Sequence, residues 1–177
     1  MAVNKGQASP DDTWLAKLEE DVLEPDLPIV DPHHHLWLRV GYTYLMPELA
    51  ADMDCGHNIG ATVFAECHSM YRKGGPEEER SLGETEFVTG QAAMSASGDF
   101  GPVRACAVMF GNFDMTLGAA VELLIEQHIE ASGGCFRGVR YSTGWNADDR
   151  YRNVAPESGM LVESRVKKAP MSWRVLV

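Results

Sequence analysis

Three of the chain's six histidines stand side by side in the stretch Ile29-Val30-Asp31-Pro32-His33-His34-His35-Leu36-Trp37. Imidazoles carry protons near neutral pH and bind transition metals. In an extended strand alternate side chains share a face. His33 and His35 therefore project together, with Cα atoms about 6.5–7 Å apart for two steps of ~3.3 Å. From that separation two ring nitrogens can converge on one metal ion at ~2.0–2.1 Å each. Asp31 shares their face, and His34 points the other way. Pro32 cannot donate to a β ladder, so regular pairing is expected to end near residues 30–32. The histidines then lie at the strand's C-terminal end, where parallel α/β sheets build their sites.

Other residues could join such a site. Glu66 and His68 flank Cys67 at the end of the next apolar run, share a face, and could line its mouth. A solvated loop histidine is the more ordinary reading of His68. Arg137 and Arg140, three apart in "CFRGVRY", face opposite sides of a regular strand. Arg140 lies nearer the C-terminal end and is the candidate for gripping a substrate carboxylate through its planar fork. The alternative is an ion pair tying sheet to helix. Tyr42 and Tyr44 either cover the pocket or pack ordinarily. His57 and His128 lie on or beside helices, so surface positions are expected. Glu77, Glu78 and Glu79 read as a solvated charge run. The chain has neither a Gly-rich phosphate loop nor a G-x-S-x-G elbow. Cys55, Cys67, Cys106 and Cys135 form no CxxC pair and read as reduced, small hydrophobes rather than a zinc knot.

The elements that must position these groups alternate. Apolar β-type runs fall at 28–35, 59–67, 102–110 and 135–141, with helical patterns at 47–58, 84–97 and 116–132 between them. The last helix is the clearest: Leu117, Ala120, Val121, Leu124, Ile125 and His128 or Ile129 recur at the 3.6-residue period, Asp114 can cap it, and Gly133-Gly134 end it. Continuous apolar strands separated by helices predict an α/β fold with a parallel sheet covered by helices. Residues 1–27 read as an N-terminal extension with a short helix capped by Asp11 or Asp12. From 146 to 177 the pattern fades into an irregular tail.

The chain has 177 residues and a formal net charge of 15 − 26 = −11. Acidity argues against nucleic acid and anionic membranes as partners. No apolar stretch approaches the ~20 residues of a membrane span, and the N-terminus lacks a secretory apolar core, so a cytoplasmic location is expected.

At "VDPHHHLW" the chain resembles the amidohydrolase superfamily, and within it the amidohydrolase-related branch of lactone hydrolases and aromatic-acid decarboxylases. That branch opens its first barrel strand with Asp-x-His-x-His-x-Trp, which Asp31, His33, His35 and Trp37 match in register. "ATVFAEC" and "FRGVRY" look like its second and fourth strands. The resemblance covers residues 28 to about 165. It implies a partial (β/α)8 TIM barrel of about four βα units at 28–145, since a full barrel takes about 250 residues.

The resemblance also implies chemistry. His33 and His35 would hold one divalent ion, zinc or manganese, although some relatives work without metal. Asp31 would orient a ligand histidine, and Arg140 would steer a small anionic substrate such as a lactone. The expected activity is metal-dependent hydrolysis of a lactone or related carboxylic ester. Decarboxylation of an unsaturated or aromatic acid is the alternative, and a non-catalytic half-barrel needing a partner is the third reading. The late histidines and the aspartate of such barrels cannot be placed. The chain is therefore expected to be truncated or frame-shifted near its tail, impaired in activity, and prone to homo-oligomerise through exposed barrel edges.

Overall fold

Four apolar runs form one sheet. The computed structural model describes residues 11–151, 153–155 and 157–167. Strands β1 (Ile29–His34), β2 (Ile59–Ala65), β3 (Arg104–Gly111) and β4 (Phe136–Val139) lie side by side in chain order, every pair parallel. Parallel neighbours need long connections, and three helices supply them: α1 (Met46–Met53), α2 (Leu82–Ala96) and α3 (Ala120–Ala131). The fold is thus mixed α/β with a four-stranded parallel sheet. Leu36, Met46, Phe64, Val88, Met109 and Val121 are among the side chains that fill its core. Among the described residues no helix is long and apolar enough to cross a membrane.

Several boundaries differ from expectation for local reasons. β1 continues past Pro32: its register slips between Asp31 and His34, and pairing resumes at His34 with Phe64. The bulge accommodates the missing proline donor instead of ending the strand. Asp114 caps a separate 3-10 turn, Met115–Leu117, by accepting the Thr116 N–H at 2.8 Å. Gly118 at φ 61° then breaks the chain's course, and α3 starts only at Ala120. At the far end Gly133 and Gly134 take φ values of 60° and 86° and close the helix. The N-terminal helix is one turn, Asp12–Leu15, capped by Asp11. Trp14, Leu15 and Leu18 on it and after it stay exposed. The hairpin of Trp37–Arg39 and Tyr42–Tyr44 follows β1. Among the described residues the irregular tail contains a 3-10 turn, Met160–Val162, and a helical turn, Ser164–Lys167; residues 152, 156 and 168–177 of the expected tail lie outside the described residues.

His128 corrects the surface expectation, being wholly buried. It falls seven residues after Val121 and four after Leu124, on the stripe of α3 that faces inward. Its two nitrogens are met by hydroxyls of the α2 start, Thr85 Oγ1 at 2.7 Å and Ser81 Oγ at 3.1 Å. Phe113 and Phe136 stack on its faces with centroids 5.1 and 5.0 Å away. Burial lowers its pKa to about 4, so the ring is neutral.

His34 is the second buried imidazole. Its Nε2 lies 2.7 Å from Thr62 Oγ1, and that oxygen also accepts the Cys106 N–H at 3.0 Å. Cys106 sits at φ 51° where the β2–β3 register slips, so Thr62 satisfies an amide that the ladder leaves behind. A T62V variant keeps the shape but orphans both groups. It is expected to lower unfolding free energy by about 2–3 kcal/mol in urea titrations; an unchanged midpoint would show that the network carries no stability.

Candidate active site

The C-terminal ends of all four strands meet on one side of the sheet. β1 delivers His33, and His35 follows it; the residue after β2 is Glu66; the residue after β4 is Arg140, whose N–H donates to the carbonyl of Gly111 at the end of β3 at 2.9 Å. His34 turns into the core, while His33 is exposed and His35 half-buried. The His33 and His35 rings meet edge to face with centroids 5.0 Å apart. Strand alternation thus brings the outer two together and sends the middle one away.

Each ring has its own support. His35 Nδ1 lies 2.8 Å from the Ala65 carbonyl, which fixes the ring and gives Nδ1 the proton, leaving Nε2 as an acceptor. Trp37 packs beside it at 5.3 Å. Burial lowers the His35 pKa and favours the neutral ring. His33 Nε2 lies 3.3 Å from Arg140 Nη1. Asp31 touches neither ring: its carboxylate accepts the His33 backbone N–H at 3.0 Å. It therefore shapes the β1 bulge, and the Ala65 carbonyl does the orienting expected of Asp31.

Arg140 is clamped by Glu66. Its Nε donates to Glu66 Oε1 at 2.8 Å, and its Nη2 donates to the Glu66 carbonyl at 2.8 Å. The Glu66 side chain is 3% exposed against 39% for Arg140, so the pair joins a buried anion to a half-exposed cation. The guanidinium also lies over Phe110 at 5.8 Å. Arg137 takes no part; it is exposed and donates to the carbonyls of Gly134 and Phe136.

The loop after β2 is strained and braced. His68 and Met70 adopt φ of 59° and 56°, a region that side chains with a Cβ rarely occupy. Glu84, buried in the first turn of α2, holds the loop: its Oε1 accepts the N–H groups of Cys67 at 3.1 Å and Ser69 at 2.7 Å. Burial outweighs these bonds and raises its pKa to about 7. Gly83 lets the loop approach, because a Cβ there would lie 2.7 Å from Arg72 N and closer still to the Met70 carbonyl oxygen. Tyr71 O–H donates to the Asn112 carbonyl at 3.2 Å, tying the loop to the end of β3. His68 is 65% exposed, with Nε2 3.5 Å from Glu66 Oε2 and 3.4 Å from Asn112 Nδ2.

Tyr44 does not cover the site; its hydroxyl donates to Asp52 at 2.5 Å and ties the hairpin to α1. Burial and the Asp52 carboxylate push that phenol up. Glu84, Tyr71 and Asn112 escape the sequence reading, since Glu84 looks like an ordinary first-turn carboxylate and the other two carry no spacing signal.

His33 and His35 offer two imidazoles. Among the described residues, however, no group of three or more His, Cys, Asp or Glu is placed to hold a metal. Arg140 already engages both Glu66 and His33 Nε2. The described residues do not complete a zinc or manganese site. No family model, no curated protein and no solved structure matches the chain.

Proposed function

We propose that this chain carries the front portion of an amidohydrolase-type hydrolase, the first four βα units of a (β/α)8 barrel, acting on a small anionic lactone or related carboxylic ester. The observation that carries the reading is the convergence of His33, His35 and Arg140 at the C-terminal rim of a sheet whose four parallel strands run in chain order. Such sequential order is what the start of a closed barrel requires. Arg140 has five N–H donors and uses three here, which leaves two for a substrate carboxylate. His35 Nε2, held neutral, takes a proton from water as it attacks the ester carbonyl, and returns that proton to the leaving oxygen as the C–O bond to the alcohol breaks. β1 and β4 are outer strands of the described sheet, which supports association through its edges.

The test is turnover of a panel of carboxylate-bearing lactones and esters by the whole chain, with and without added zinc or manganese. Single H33A and H35A variants are expected to lose at least about 100-fold in kcat/KM, in keeping with loss of a positioned acid–base group, while staying folded by circular dichroism. Carbon dioxide released from unsaturated or aromatic acids would instead select decarboxylation. Equal rates in parent and variants would reject the assignment, and an inert parent chain would favour a non-catalytic half-barrel.

A further inference from the structure

A cavity of about 480 Å³ lies at the start of α2, with Ser81, Tyr71, Phe113, Leu117 and Tyr141 in its walls. Ser81 holds the N-cap position of α2, where a serine side chain commonly accepts a helix N–H. Its hydroxyl makes no such bond and lies instead 3.1 Å from His128 Nε2. The other ring nitrogen, Nδ1, is 2.7 Å from Thr85 Oγ1. Phe113, which walls the cavity, stacks on the same ring with centroids 5.1 Å apart. Ser81 and Phe113 thus tie the buried imidazole to the cavity.

A hydroxyl, an imidazole and a third group that orients the imidazole are the parts of an activated serine. With the Nδ1 proton donated to Thr85 Oγ1, the neutral ring offers Nε2 as an acceptor for the Ser81 proton. Thr85 then fills the place that a carboxylate takes in a serine triad. Ser81 also stands at the positive end of a helix of 15 residues, which favours an oxyanion beside it.

We propose that Ser81 is a nucleophile, with His128 as its base, and that it takes the acyl group of an ester whose apolar or aromatic body lies in the cavity. Ser81 Oγ attacks the carbonyl carbon while its proton passes to His128 Nε2. His128 returns that proton to the leaving oxygen as the ester C–O bond breaks, which yields an acyl-serine and an alcohol. Water then attacks the acyl carbon, its proton passing to His128 and on to Ser81 Oγ as the carboxylic acid departs. This chemistry uses none of His33, His35 and Arg140, so it stands apart from the function proposed above.

Phenylmethylsulfonyl fluoride, an aromatic reagent that sulfonylates activated serines with loss of fluoride, tests the nucleophile in the whole chain. Peptide mapping is expected to place one adduct on Ser81, absent in S81A and formed at least about tenfold more slowly in T85V, as for loss of an oriented base. Quenched mixtures with 4-nitrophenyl butyrate are expected to carry a butyryl group on the same residue. Imidazole nitrogen-15 shifts of the parent chain read the tautomer without any substitution, and His128 is expected to be protonated at Nδ1 and bare at Nε2. An unmodified Ser81 with both reagents would overturn the nucleophile. A proton resident on Nε2 would overturn the base, and equal labelling of T85V and the parent would overturn Thr85 as the orienting group.

Discussion

An E84Q variant is expected to gain stability relative to the parent chain as pH rises, by about 3 kcal/mol between pH 4.5 and pH 8. Glu84 is 2% exposed, with a pKa raised by burial from 4.5 to about 7. Between those values the unfolded chain releases a proton that the folded chain keeps, so the parent loses stability as pH rises through the window. Glutamine retains a carbonyl oxygen for the Cys67 and Ser69 N–H groups and has nothing to ionise. His128 acts in the opposite sense. Its pKa falls from 6.5 to about 4, so below pH 6.5 the unfolded chain takes up a proton that the buried ring refuses. Its contribution is present above 6.5 and is lost as pH falls toward 4. In the parent the two slopes oppose each other from about pH 4.5 to 6.5. In E84Q the opposing Glu84 slope is gone, so its stability climbs over that range with the buried histidines. Urea titrations at pH 4.5, 6 and 8 read this directly, and parallel curves for the two proteins would contradict it.

The same two residues mark the limit of what the chain's text discloses. The four strands and three helices are legible because continuous apolar runs and a 3.6-residue period are local signals. The shared face of His33 and His35 is equally local, since it needs only an alternating strand. His128 is on the inward stripe by period, yet its polarity argues for the surface; what decides is a pair of hydroxyls on another helix, Ser81 and Thr85, which no pattern in α3 reveals. Glu84 is hidden in the same way, because its role depends on a loop fifteen to seventeen residues earlier folding back over Gly83. Pro32 is read as a strand end because proline lacks a donor, whereas a bulge lets pairing resume two residues later. Arg140 is picked out by its place near a strand end, but its clamp is a contact across 74 residues. Asp31 shares a face with the histidines and still meets only a backbone amide. Facing is a property of one strand, whereas contact depends on how several strand ends and loops come together.

Breaking the Arg140–Glu66 pair from its two ends should give unequal results. R140M leaves a carboxylate with 3% exposure facing only His68 at 3.5 Å, and is expected to cost about 3 kcal/mol near pH 8, the range found when one partner of a buried pair is removed. E66Q leaves a guanidinium that is 39% exposed and can turn to water, so its cost is expected near 1 kcal/mol. The decisive comparison is the double variant. If Glu66 is the stranded charge, R140M/E66Q is more stable than R140M alone, a reversal that additive effects cannot produce. Denaturant midpoints of the four proteins at pH 6 and pH 8 measure it. A double variant weaker than R140M by the full E66Q cost would mean that the two residues stabilise the fold independently and that Glu66 does not depend on Arg140 for its charge.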